Sequence, residues 1–250
     1  MSKRRIPLFG IVIGAILLLV SLAFNIILYR QGRAYYLQLN ATYLDPLGLK
    51  AFPIDPTRVD PANEEPLVVF LGDSRAAAWT TPTQIAGFTF INRGSSAQTT
   101  AQVLGRFPHH VQPLKPDILV LQVGINDLKT IPLFPDKQEA IVAECKANIQ
   151  QLVELSTHNN IRVILVTIFP LGQLPIERRA FWSDDVALAI VDVNQFLAAL
   201  ASDGVQILDA VEILSNEHGI VDPRYSKDFL HLNETGYEVL NRELSQVLQP

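Results

Sequence analysis

The chain has 250 residues, enough for one domain of ordinary size and an additional segment, and 48% of them are hydrophobic. The formal net charge is -5, and no basic block follows the first few residues, which argues against nucleic acid as a partner. Because Cys145 is the only cysteine, an internal disulfide and a cysteine metal cluster are both excluded.

The N-terminal segment has the composition of a membrane-spanning helix. Residues 7–29 carry no charge, and at about 1.5 Å per residue a helix of this length spans a hydrocarbon core of about 30 Å. A cleaved signal peptide is the alternative, but its apolar region is usually only about 7–15 residues long. We therefore expect a single-pass signal anchor at 7–29 behind a short basic cytoplasmic tail at 1–6, with the rest of the chain periplasmic or on the outer face.

Residues 30–66 link this helix to the remaining chain. Their first part, from Arg33 to Tyr43, is expected to extend the helix past the membrane surface. Prolines then recur between Asp45 and Pro66 with little hydrophobic periodicity, which indicates a linker or a surface wrap rather than part of a sheet.

From Leu67 onward, apolar strand candidates alternate with helical stretches. The strand candidates are 67–71, 88–92, 117–123, 162–168 and 205–208, and the helical stretches are 99–107, 137–158, 184–201 and 234–248. This alternation predicts one α/β domain at 67–250, in which a five-stranded parallel sheet lies between two layers of helices with right-handed crossovers.

Polar side chains occur where the predicted strands end. Ser74 follows an unbroken apolar run at a strand-to-helix turn, Gly94 and Asn126 follow the next two strands, and Asp228 and His231 precede the last helix. Because the carboxyl ends of parallel strands lie at one edge of a sheet, we expect these residues to converge.

Three of these residues are the types that acyl transfer to a serine requires. Ser74 would attack an ester carbonyl, and His231 would take its proton and return it to the leaving alcohol. Asp228 would accept the other imidazole N–H and fix the tautomer, and Asp222 is the alternative acid.

The oxyanion that develops in such a reaction needs donors about 3 Å away. The backbone N–H groups of Ser74 and Gly94 and the side-chain amide of Asn126 would supply three, and a glycine allows close approach of the backbone. Simpler structural interpretations exist for the same stretches. Ser74 or Asp73 would serve as a helix N-cap, Gly94 would be a plain turn residue, and Asn126 and above all Asp127 would close an Asx turn in their own loop.

The other histidines fit the role of the base less well. We expect His109 and His110 to be solvated, His158 to end a helix, and His218 to lie in a polar turn. None of them comes three residues after an aspartate and just before a helix. No second histidine stands at a metal-ligand spacing, so we expect neither a metal nor another cofactor.

Four of these residues carry a family resemblance. The SGNH hydrolases are named after a serine, a glycine, an asparagine and a histidine, and Ser74, Gly94, Asn126 and His231 match these four residues in order. The chain resembles the GDSL-type esterases and lipases of that superfamily. Several short sequence segments resemble those of its platelet-activating-factor-acetylhydrolase-like branch. These segments are Ile-Asn-Arg-Gly at 91–94, Leu-Lys-Pro-Asp at 114–117, Val-Gly-Ile-Asn-Asp-Leu at 123–128 and Leu-His-Leu-Asn-Glu-Thr-Gly-Tyr at 230–237. The resemblance extends from about 67 to 248. It implies a flavodoxin-like three-layer α/β/α sandwich and serine esterase chemistry without a metal.

Arg75 follows Ser74 at the position where the Gly-Asp-Ser-Leu motif that names the family has leucine. This departure from the motif bears on the substrate rather than on catalysis. The stretch 171–185 is expected to overhang the site as a loop. Trp79, Phe181 and Trp182 either line an acyl pocket or pack in the core or in a lid.

Two functions from different classes are compatible with these features. The first is a membrane-anchored serine esterase that removes short acyl groups, acetyl among them, from a lipid or a glycan outside the cytoplasm. An acyltransferase would share its acyl-enzyme step. The second is a non-catalytic envelope module that keeps the fold for binding. We favour the enzyme, because a decayed site is expected to lose at least one of the four matching residues.

Overall fold

The computed structural model describes residues 8–52, 65–82 and 85–249, and the chain divides into two units, Met1–Pro46 and Leu47–Pro250. Within the first unit, helix α1 (Leu8–Leu44) runs without interruption through the stretch from Arg33 to Tyr43. By length and composition α1 is able to cross a membrane. Most of the predicted proline-rich linker, at 53–64, lies outside the described residues.

The second unit is built around a five-stranded parallel sheet, as predicted. The strands are β1 (Leu67–Gly72), β2 (Thr89–Gly94), β3 (Ile118–Gln122), β4 (Arg162–Val166) and β5 (Val205–Leu208). Their order, β2-β1-β3-β4-β5, is the flavodoxin-like order with its switch point between β1 and β3. Strand ends differ slightly from the predicted ones, because an apolar run does not show where the last ladder hydrogen bond falls.

Helices cover both faces of this sheet. They are α2 (Ser74–Ala77), α3 (Thr100–His110), α4 (Ile125–Leu128), α5 (Gln138–His158), α6 (Asp185–Ala198), α7 (Ala210–Leu214) and α8 (Glu234–Leu248). Alternate strand residues point to opposite faces. On one face Val69 and Leu119 belong to a core shared with α3, α5 and α6, whereas on the other Val68 and Phe70 pack with α8. The flavodoxin-like three-layer sandwich is thereby confirmed.

The expectation that His110 is solvated is wrong. Its residue surface is only 3% exposed, its Nε2 lies 3.2 Å from the carbonyl oxygen of Leu49, and its ring packs edge-on against Phe52. The predicted helix ends at Phe107, just before Pro108. In the structure α3 continues through Pro108, whose ring is exposed, and the extra residues carry His110 onto the buried face.

The three aromatic candidates for an acyl pocket divide between core and surface. Trp79 is buried in the core, where its indole N–H donates to Asn241 Oδ1 at 2.7 Å, so the core interpretation holds for it. Phe181 is exposed, and Trp182 is half-buried against Phe229.

Candidate active site

The turn that carries Ser74 joins β1 to α2. Asp73 caps the helix, with its Oδ1 accepting the backbone N–H of Arg75 at 2.9 Å, and Ser74 is the first helical residue. The Ser74 N–H therefore has no acceptor within its own helix. Gly72 has φ +156°, and a Cβ there would lie 1.7 Å from the carbonyl oxygen of Gln122, so the close pairing of β1 with β3 requires glycine.

Ser74, His231 and Asp228 form a continuous chain of hydrogen-bonding groups. Ser74 Oγ lies 3.0 Å from His231 Nε2, and His231 Nδ1 lies 2.9 Å from Asp228 Oδ2. A carboxylate at Nδ1 favours the tautomer with its proton on that nitrogen, which leaves the Nε2 lone pair facing the serine hydroxyl. The structure thus brings together the three residues that the sequence singled out for proton transfer and nucleophilic attack.

Asp228 is held as an anion by the turn that it begins. Burial raises the pKa of Asp228, but the N–H groups of Leu230 and His231 and the imidazole outweigh burial, so this pKa lies below its ordinary value. The alternative acid, Asp222, is instead paired with Arg224, whose Nη2 lies 2.7 Å from its Oδ2.

Gly94 ends β2 beside the serine turn. It pairs in register with Gly72, and a Cβ on Gly94 would lie 2.1 Å from the backbone nitrogen of Ala77. Helix α2 therefore packs too close for a larger residue. The N–H of Gly94 donates to Asn92 Oδ1 at 2.7 Å. Its predicted role as an oxyanion donor requires that this bond be exchanged when a substrate binds.

Asn126 lies on α4, directly beyond the end of β3, and is nearly buried. Its Nδ2 donates to the carbonyl oxygen of Gln98 at 3.0 Å, which leaves a second amide hydrogen for another acceptor. Asp127 does not close an Asx turn as expected, because it bonds outside its own loop. It accepts the hydroxyl of Thr100 at 2.6 Å and the Thr100 N–H at 2.9 Å, so it ties α4 to the start of α3.

Arg106 on α3 supports the edge of the sheet where the site residues converge. The sequence interpretation missed this role. Its side chain is fully buried, with Nη2 donating to the carbonyl oxygen of Gly72 at 2.8 Å and Nε donating to Gln98 Oε1 at 2.5 Å. It thereby joins the residue before the serine turn to the segment that holds the amide of Asn126. The available signal was an arginine between two core residues of α3, Val103 and Phe107.

The stretch 171–185 contains a 3-10 helix, Ile176–Phe181, and packs against the turn that carries the aspartate and the histidine. The rings of Trp182 and Phe229 meet edge-on with centroids 5.3 Å apart, and the guanidinium of Arg178 lies 5.8 Å from the centre of the Phe229 ring. These contacts place the stretch beside the site.

The buried cysteine does not compete with Ser74 as a nucleophile. Cys145 is buried on α5, and burial raises its pKa, which makes the thiol a poor nucleophile. In the part of the chain that the structure describes, no three His, Cys, Asp or Glu side chains form a group able to hold a metal ion.

The comparison with protein families decides the class. The profile of the GDSL-like lipase/acylhydrolase family matches residues 68–239. The chain belongs to this family. It is therefore an enzyme of the esterase and lipase class, as the resemblance implied. No curated protein matches the chain significantly.

Several solved structures share the fold. A GDSL-like lipase from Bacteroides thetaiotaomicron is 25% identical with a TM-score of 0.66, over 80% of this chain and 97% of that one. A Streptococcus pneumonia protein described as a platelet activating factor is 20% identical with a TM-score of 0.64, over 86% of this chain and 99% of that one. The acetyl xylan esterase AlAXEase is 19% identical with a TM-score of 0.59, over 73% and 99%.

Proposed function

We propose that this GDSL hydrolase is a serine esterase whose catalytic triad is Ser74, His231 and Asp228. The observation that carries the proposal is the chain of hydrogen-bonding groups from Ser74 Oγ through the imidazole to the carboxylate, with steps of 3.0 and 2.9 Å. A serine hydroxyl is activated when a base lies within hydrogen-bond reach and a third group orients that base.

In the proposed reaction, Ser74 Oγ bonds to the ester carbonyl carbon while its proton passes to His231 Nε2. Collapse of the tetrahedral intermediate breaks the bond to the alcohol, which leaves with that proton, and the acyl group stays on Ser74. A water molecule then attacks the acyl-enzyme by the same route and releases the acid. Asp228 stabilises the imidazolium that exists between the two proton transfers.

The proposed oxyanion donors are the N–H of Ser74, the N–H of Gly94 and the side-chain amide of Asn126. The Ser74 N–H and the second amide hydrogen of Asn126 can bind the oxyanion without giving up a bond in the free enzyme. The Gly94 N–H has to leave Asn92 first. One such donor typically accounts for a factor of about 10²–10³ in rate.

The proposed substrates are esters of short acyl groups, acetyl first, on a glycan or a lipid. An acetyl xylan esterase shares the fold, which makes acetylated glycans the first natural substrates to test. We also propose that α1 anchors the enzyme in a membrane and that the second unit lies outside the cytoplasm. The basic residues at 3–5 precede an apolar helix long enough to span, as such an anchor requires.

The function is tested by hydrolysis of p-nitrophenyl esters from acetyl to palmitoyl by the full chain. We expect the highest kcat/KM with acetate and a loss of about 10⁴-fold or more in Ser74→Ala and His231→Ala. His158→Ala, which removes an exposed imidazole at the end of α5, is the matched control and keeps wild-type activity. Unchanged hydrolysis in Ser74→Ala contradicts the proposed nucleophile. A folded wild type without esterase activity favours the binding module.

A further inference from the structure

A fully buried arginine follows the proposed nucleophile in the sequence. Arg75 is inaccessible to solvent, and burial lowers its pKa to about 10, so its guanidinium carries a charge at neutral pH. Burial of a charge is costly unless its hydrogen bonds are satisfied and its charge is balanced. The contacts of Arg75 therefore indicate what the residue contributes at this position.

The Arg75 side chain connects separate segments around the site. Its Nε donates to the carbonyl oxygen of Leu230 at 2.8 Å, its Nη1 donates to the carbonyl oxygen of Phe169 at 3.2 Å, and its guanidinium lies 5.0 Å from the centre of the Phe169 ring. Its backbone carbonyl accepts the hydroxyl of Tyr237 at 2.8 Å. The serine turn, the segment after β4, the turn at 228–231 and α8 all meet at this residue.

The bond to Leu230 bears directly on the chemistry. The Leu230 carbonyl belongs to the peptide group that leads into His231, so Arg75 holds the backbone that carries the imidazole. Asp228 Oδ1 holds the same turn from within by accepting the N–H groups of Leu230 and His231, each at 2.8 Å. Asp228 thus sets the shape of the turn, and Arg75 sets its place relative to α2.

We infer that Arg75 is a positioning residue that keeps His231 Nε2 within hydrogen-bond reach of Ser74 Oγ. The inference rests on the proposed triad. The contacts suit arginine, because its planar guanidinium reaches two carbonyls at once and lies over an aromatic ring. Lysine presents a single ammonium, and leucine, the residue of the family nickname, presents no donor. The buried carboxylate of Asp73 attracts the guanidinium.

The test compares Arg75→Met and Arg75→Lys with the wild type in the full chain on p-nitrophenyl acetate. Methionine keeps the apolar stem and removes both hydrogen bonds. We expect kcat to fall about 10²-fold, because ångström-scale misplacement of a catalytic group has an effect of that size, while KM stays unchanged. Arg75→Lys recovers part of kcat, because its ammonium reaches one of the two carbonyls.

A proton NMR measurement separates misplacement from general disruption of the site. The proton between His231 Nδ1 and Asp228 gives a resonance far downfield, since it sits in a charge-assisted hydrogen bond. We expect this resonance to persist in Arg75→Met, because Asp228 holds the imidazole from within the turn. Its loss together with the loss of kcat would mean that Arg75 only keeps the site folded, and this result overturns the inference.

Arg162→Met is the matched control, because Arg162 also donates to a backbone carbonyl, that of Val247. Arg162 lies at the amino end of β4, whereas the site lies at the carboxyl ends of the strands. This variant is expected to lower Tm without changing kcat. Wild-type kcat in folded Arg75→Met, or a change in KM alone, contradicts the inference while the esterase proposal stands. Should Arg75→Met fail to fold, Arg75→Lys decides by the same criterion. Absence of hydrolysis in the wild type overturns the proposed function instead.

Discussion

Burial raises the pKa of two carboxyl groups of the site, but hydrogen bonds outweigh burial in only one of them. Asp228 gains three hydrogen-bond donors from its own turn, so it stays ionised and is able to balance an imidazolium. Asp73 is completely buried one residue before Ser74, and burial raises its pKa to about 6 although Arg75 counteracts the shift. In the folded enzyme Asp73 therefore takes up a proton at a pH where the unfolded chain does not.

This difference predicts how stability depends on pH. Between about pH 4 and pH 6 the folded state binds more protons at Asp73 than the unfolded state, so the contribution of Asp73 to the free energy of unfolding falls as pH rises through that window. The contribution is on the order of 3 kcal/mol. Asp73→Asn keeps an oxygen for the helix cap and lacks this titration. Urea unfolding of the wild type and Asp73→Asn across the window is expected to show a flatter pH profile in the variant.

Exposed Asp203→Asn is the control for loss of one carboxylate. It should reproduce the wild-type profile. Identical slopes in the wild type and Asp73→Asn would show that Asp73 does not titrate in this range.

Among the elements of the fold, those long enough to show a period could be predicted from the sequence. Strands β1 and β3 each contain an unbroken apolar run, and α5 and α8 show helical periodicity. Helices α4 and α7 have only four and five residues, too few for a periodicity to appear. Asp209 caps α7 by accepting the N–H groups of Val211 and Glu212, whereas Gly124 at the N-cap of α4 makes no side-chain hydrogen bond.

Within the site, the sequence identified side chains but not the contacts that long-range packing creates. Ser74 and His231 could be paired because both stand at predictable strand or helix ends. The partners of Arg75 and Arg106 are backbone carbonyls far away in the chain, which no local pattern shows. Local sequence predicts an Asx turn for Asp127 for the same reason, whereas tertiary packing gives Asp127 a hydrogen bond from Thr100.

At the scale of the whole molecule, the proposed anchor concerns the first unit and the proposed chemistry concerns the second. The family match at 68–239 falls entirely in the second unit. Every residue of the proposed triad and oxyanion hole also lies there. The two proposals are therefore separable by removing the first unit.

A chain that lacks residues 1–46 is expected to keep the kcat of the full chain on p-nitrophenyl acetate and to move from the membrane fraction to the soluble fraction. Ultracentrifugation of cell lysates measures the partition, and intact mass measures whether α1 remains in the full-length product. If expression of the full chain yields a soluble product without α1, the result contradicts the anchor and identifies a cleaved signal sequence.

The most direct measurement is labelling of the full chain with a fluorophosphonate, followed by peptide mass spectrometry. An activated serine attacks the phosphorus, whereas an ordinary hydroxyl does not. We expect one adduct on Ser74, its absence in Ser74→Ala, and much slower labelling in His231→Ala. An adduct at another residue, or none on folded wild-type protein, contradicts the proposed triad.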